Sequence, residues 1–66
     1  MNILLNGEQR GLEEALTLDG LIDCLDLSGK RLAVEVNEEV VPRSEHAEYC
    51  LHEGDRVEIV HAIGGG

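Results

Sequence analysis

Arg56-Val57-Glu58-Ile59-Val60-His61-Ala62-Ile63-Gly64-Gly65-Gly66 is the stretch on which the fold turns. Its first part is rich in β-branched residues and alternates, as a strand does. Val57 and Ile59 share one face with Ile63, while Val60 and Ala62 share the other with Glu58. With Val57 and Ile59 directed to a core, Val60 is left outside. The second part is glycine alone. A glycine run has no Cβ and the widest backbone freedom, and it adds nothing to a core. One reading of it is a frayed end. The other is a slender lead whose only chemistry is the α-carboxylate of Gly66, threaded into a narrow active site on another protein where a bulkier residue would jam.

Outward from that stretch, the chain supplies the rest of a small sheet and one helix. Met1-Asn2-Ile3-Leu4-Leu5 reads as a strand with Met1, Ile3 and Leu5 on one face and Leu4 on the other. Asn6-Gly7 is a strong hairpin signal, because a type I′ turn needs positive φ at both central residues. The polar return, Glu8 to Glu13, suits an edge strand with a bulge near Gly11. Thr17 is a candidate N-cap, with Asp19 at the positive end of the helix dipole. Leu18, Leu21, Ile22 and Leu25 then recur at helical spacing, Asp23 and Asp26 fall on the wet side, and Ser28-Gly29 marks the stop. The pattern predicts a helix from Leu18 to Leu27. Leu32-Ala33-Val34-Glu35-Val36 alternates as a strand. Asn37-Glu38-Glu39 turns the chain, and Val40-Val41 is a brief strand stopped by Pro42. Residues 43–51 lack a sustained period and fit a helical turn and a short extended piece. His52 to Asp55 is a turn into the last strand. The outline is an α+β layer arrangement, a mixed sheet of four to five strands with one main helix on one face. A hairpin, a crossover helix and an apolar last strand ending in glycines make up the outline of a β-grasp. The domain reading is residues 1–63 as the folded body and 64–66 as a flexible glycine tail.

Composition narrows the function. Sixty-six residues allow one domain, which buries only about 60% of its unfolded surface and leaves little room for a catalytic cavity. One Tyr, no Trp and no Phe make the core aliphatic and remove the platforms on which bases stack. A formal net charge of −9 opposes contact with phosphate backbones or anionic membranes, and it steers the chain toward partners with a basic face. The opening residues lack the charged lead and long apolar run of a signal peptide, and no stretch approaches membrane-spanning length. A cytoplasmic location is the expectation, with Cys24 and Cys50 as reduced thiols. His46, His52, His61 and the two cysteines show no paired spacing of a metal site. No nucleophile–base pair has an orienting third group, and no phosphate-cradling motif is present. Neither a metal nor a catalytic residue is expected. What remains is the glycine tail and, beside it, a small apolar docking patch formed by Leu4, Val60 and Ala62.

These residues resemble the thiamine-biosynthesis sulfur carrier proteins (the ThiS type), ubiquitin-like β-grasp proteins of about this length. The likeness runs from end to end. It takes in Met1-Asn2-Ile3-Leu4-Leu5-Asn6-Gly7, the helix after Thr17, Val36-Asn37-Glu38-Glu39-Val40-Val41-Pro42-Arg43, Glu53-Gly54-Asp55 and the terminal Gly65-Gly66. The diglycine is common to all ubiquitin-like carriers. The Asn-x-x-x-Val-Pro-Arg run, in so short a chain, favours the thiamine branch. Gly64 stands where family members also carry Ala.

The resemblance implies chemistry at Gly66 and a role as carrier rather than enzyme. A ubiquitin-activating-like adenylyltransferase would use ATP to adenylate the carboxylate, so the carrier needs no cofactor of its own. Sulfur from a cysteine-desulfurase-derived persulfide would displace AMP to leave a thiocarboxylate, which thiazole synthase would consume. Gly66 would carry the sulfur, Gly64 and Gly65 would give reach, and the body would serve as an address, monomeric when free. Two related readings share fold and tail. One is the small subunit of molybdopterin synthase, whose members are usually longer and richer in aromatics. The other is a ubiquitin-like modifier joined to lysines, which a ladder of adducts on denaturing gels would reveal. An acidic adaptor with an inert tail is a third alternative.

Overall fold

The structure is a computed structural model that describes residues 1–61. The glycine tail read at 64–66, and the boundary placed after residue 63, lie outside them. The elements are β1 (Asn2–Leu5), β2 (Glu8–Gly11), α1 (Leu18–Cys24), β3 (Leu32–Val36), β4 (Glu39–Val40), a 3-10 turn (Arg43–Glu45) and β5 (Arg56–His61). The five strands form one sheet in the order β2-β1-β5-β3-β4. β5 runs parallel to β1 and antiparallel to β3, so the first and last strands of the chain lie side by side in the middle of the sheet. This is the β-grasp that the sequence outlines.

Local chemistry accounts for most of the elements. Asn6 and Gly7 both take positive φ, 50° and 83°, as the tight β1–β2 turn requires. Thr17 caps α1 by accepting a hydrogen bond from the Gly20 amide at 3.1 Å. Asn37 and Glu38, at φ 52° and 72°, form a second two-residue turn into β4. Three details differ from the sequence reading. No bulge forms at Gly11: the register runs unbroken from Leu5 opposite Glu8 to Asn2 opposite Gly11, and the Leu12 amide then donates to the Met1 carbonyl at 2.7 Å. The brief strand expected at Val40-Val41 begins one residue earlier, since Glu39 already pairs with Val36. The helix ends at Cys24 rather than Leu27. Asp26 adopts a left-handed φ of 61°, its amide bonds the Asp23 carbonyl, and the Leu27 amide reaches back to Ile22. That pair of bonds is a Schellman closure built on an aspartate instead of a glycine.

The core is aliphatic throughout. Ile3, Val34, Val36, Val57 and Ile59 on the sheet pack with Leu18, Leu21 and Ile22 of α1 and with Val41 and Leu51 from the loops. Val57 and Ile59 point inward and Val60 outward, as the alternation of the last strand predicts. Its one buried polar side chain among the described residues is His46, whose ring Nε2 hydrogen-bonds the Val41 carbonyl at 3.0 Å. That bond removes the penalty of an unpaired buried polar group.

Candidate functional site

The sequence directs attention to β5, and the fold holds most of that strand from both sides. Five residue pairs tie β5 to β3, from Val36–Val57 to Leu32–His61. On the other side, Leu4 and Leu5 pair with Arg56 and Val57. Where that short parallel ladder stops, the Asn6 side chain takes over. Its Oδ1 accepts from the Ile59 amide at 2.8 Å and its Nδ2 donates to the Ile59 carbonyl at 3.2 Å. The Asn6 amide bonds the Val57 carbonyl as well. The strand is thus held on both sides as far as Ile59, and by β3 alone at Val60 and His61. Gly64, Gly65, Gly66 and Ala62, singled out from the sequence, lie outside the described residues.

The helix-free face of the sheet carries the other candidates. Residues directly opposite in an antiparallel pair share a face, so Val60 with Ala33 and Glu58 with Glu35 lie away from the helix. Leu4 lies there too, opposite Gln9 and beside Arg56. Leu4 and Val60 are 39% and 59% exposed, which makes both accessible. The register does not bring them together. Val60 is four residues along β5 from Arg56, about 13 Å at the rise of a strand. Glu58 intervenes on the same face.

Sequence reading missed a third member. Val40, 71% exposed, pairs with Glu35 on this same face. The signal was available: adjacent residues of an extended chain point to opposite sides, so of Val40 and Val41 only one could enter the core. The face is therefore three separated aliphatics around the facing carboxylates of Glu35 and Glu58. Arg56 reaches Glu38 at its margin, at 3.5 Å with both side chains exposed. Hydrophobic points set among carboxylates fit a partner surface that is apolar and basic together.

Cys24 and Cys50 are free and exposed. Among the described residues no group of three or more His, Cys, Asp or Glu is placed to hold a metal. No described helix is long and apolar enough to cross a membrane.

Comparison with known proteins bears on the whole chain. Residues 3–66 match the model of the ThiS family. The chain is 39% identical over 66 residues to a thiazole synthase of Paramagnetospirillum magneticum, a match that covers all of the chain and 20% of the relative. It thus spans about a fifth of the length of the curated thiazole synthases it matches. It is 33% identical over 63 residues to the sulfur carrier protein ThiS of Bacillus subtilis, covering 94% of the chain and 96% of that protein. The crystal structure of the thiamine biosynthesis protein ThiS from Geobacter metallireducens superposes with a TM-score of 0.87 at 30% identity, with both chains fully covered. A sequence match over nearly every residue and a shared fold over the full length lead to one statement: the chain belongs to the ThiS family.

Proposed function

We propose that this chain is a sulfur carrier of thiamine biosynthesis, and that its working group is the carboxylate of Gly66. The observation that carries the reading is the family match through residue 66, which includes the glycine run. The likeness to one stretch of larger thiazole synthases supports thiazole synthase as the acceptor.

The chemistry follows from the group. A terminal carboxyl has a reference pKa near 3.5, so at neutral pH it is an anion and a poor electrophile. Transfer of AMP from ATP, with release of pyrophosphate, turns its oxygen into a leaving group. The terminal sulfur of a persulfide, derived from a cysteine desulfurase, attacks the acyl carbon and AMP departs. A thiol then cleaves the S–S bond that the persulfide brought in, supplying two electrons and ending as a disulfide. Gly66 is left as a thiocarboxylate. In this scheme an adenylyltransferase of the ubiquitin-activating kind performs the activation, thiazole synthase takes the sulfur, and this chain acts as carrier, not catalyst. Glycines at 64 and 65 present no side chain to a narrow partner site. Tethering on a docked body replaces dilute sulfide with a high local concentration at the acceptor.

The test is an intact mass of the protein isolated from its own cells. One oxygen exchanged for sulfur at the C-terminus is the expected result. Removal of Gly66, or amidation of its carboxyl, abolishes loading. A tail-blocked chain that still supports thiazole formation would end this reading.

A further inference from the structure

Among the described residues β2 is an open edge of the sheet, with β1 on one side and no strand on the other. The ladder fixes which of its backbone groups are free. The Leu12 amide donates to the Met1 carbonyl at 2.7 Å and the Met1 nitrogen to the Leu12 carbonyl at 2.8 Å, so Leu12 is directed at β1. Inward and outward residues alternate along such a strand. Glu8 and Arg10 are therefore directed at β1 as well, while Gln9 and Gly11 turn amide and carbonyl outward. β1 agrees with this parity: opposite Gln9 and Gly11, the Leu4 amide donates to Asp55 and the Asn2 carbonyl accepts from Gly54, both away from β2. Sheet edges are commonly blunted by proline or a bulge. Here all four residues are exposed, none is proline, and the register runs unbroken through Gly11.

We propose that this edge pairs with the same edge of a second copy of the chain, antiparallel and centred on Gln9. Charge selects that register. With Gln9 opposite Gln9, the two residues exchange amide-to-carbonyl hydrogen bonds, and Glu8 of each chain stands opposite Arg10 of the other. Those flanking pairs are the close, non-hydrogen-bonded ones, where opposite charges attract and like charges repel. One step along, with Gln9 opposite Gly11, Arg10 would meet Arg10 at that close position. Glu8 and Arg10, of opposite sign and two residues apart, thus make the edge complementary to itself. A net charge of −9 on each copy and a contact of few residues keep the association weak. The two-fold axis stands normal to the sheet, so both helices lie on one side of the joined sheet and both helix-free faces on the other. At high concentration the chain departs from the monomeric state expected of a free carrier. The pairing requires nothing of Gly66 and holds with or without sulfur loading.

The experiment is sedimentation equilibrium of the full chain and of two variants, Glu8→Arg and Arg10→Glu, alone and mixed. The average mass of the parent is expected to rise with concentration toward that of a dimer. Either variant alone sets like charges in both flanking pairs, and its dissociation constant should increase about tenfold or more. In an equimolar mixture each acidic edge meets a basic one, so association returns, and that recovery also shows both variants to be folded. In isotope-labelled parent protein, solvent exchange of the Gln9 amide should slow as concentration rises, while that of the Arg10 amide, already directed at β1, stays constant. A parent monomeric at millimolar concentration, a mixture no better than its components, or Gln9 exchange indifferent to concentration would overturn the pairing. Self-association unaltered by Glu8→Arg would also overturn it, because the register centred on Gln9 requires Glu8 opposite Arg10.

Discussion

Asn6 shows how much a single residue can do in a domain of this size. It occupies a left-handed turn position and brackets the Ile59 amide and carbonyl, 53 residues away in sequence. Asn6→Ala deletes two hydrogen bonds at about 1 kcal/mol each and places a Cβ-bearing residue without Asn's local polar compensation at positive φ. A loss of roughly 2–3 kcal/mol is expected, or about 10 °C or more in Tm for a domain this small. Asn6→Asp keeps the acceptor and loses the donor, so it should fall between. Urea or thermal unfolding measures both; an Ala variant within about 0.5 kcal/mol of the parent would show the bracket to be energetically idle. The turn role of Asn6 was legible, because Asn-Gly between alternating residues is a local code. Its grip on Ile59 was not, since nothing in a local pattern says which distant strand will lie alongside.

The helix illustrates the same limit one scale up. Its start was readable from Thr17 and its buried stripe from Leu18, Leu21 and Ile22, all signals within a single turn or two. Its end was misplaced because the sequence reading looked to Ser28-Gly29, whereas Asp26 does the closing at φ 61°. Aspartate tolerates that conformation at some cost, so Asp26→Gly is expected to stabilise by about 0.5–1 kcal/mol. Gly20, inside the helix, offers a second gain. A Cβ there would meet Leu16 Cδ2 and Thr17 Oγ1 at 3.4 Å, the close edge of ordinary contact, with a side-chain atom on each side. Gly20→Ala should therefore recover close to the helix-propensity difference, about 1 kcal/mol. If it destabilises instead, the added methyl is disturbing the Thr17 cap. Val40 was overlooked for a related reason: the sequence places Val40 and Val41 together, and only pairing with Glu35 shows which of them faces outward.

At the scale of the whole molecule, the exposed sheet face and the net charge are each open to test. Val60→Asp tests the helix-free face. Val60 is exposed opposite Ala33, so stability should change by no more than about 1 kcal/mol, the span of strand propensities. On the carrier reading, binding to the activating enzyme should weaken about tenfold or more, as for a contact residue of real weight. Loss of the fold would contradict the outward placement of Val60. Salt tests the charge. With a net charge of −9, Glu35 facing Glu58 and the exposed Arg56–Glu38 contact as the one ion pair among the described residues, repulsion outweighs attraction. Raising NaCl shortens the screening length from about 10 Å at 0.1 M toward about 3 Å at 1 M. Tm should therefore rise by several degrees over that range. The rate of association with a basic partner should fall over the same range, because the field that destabilises the folded chain is the one that steers it. Thermal melts and stopped-flow binding at matched salt read the two effects. A Tm that falls with salt would mean that local attractions outweigh the net charge, and the steering argument would fail with it.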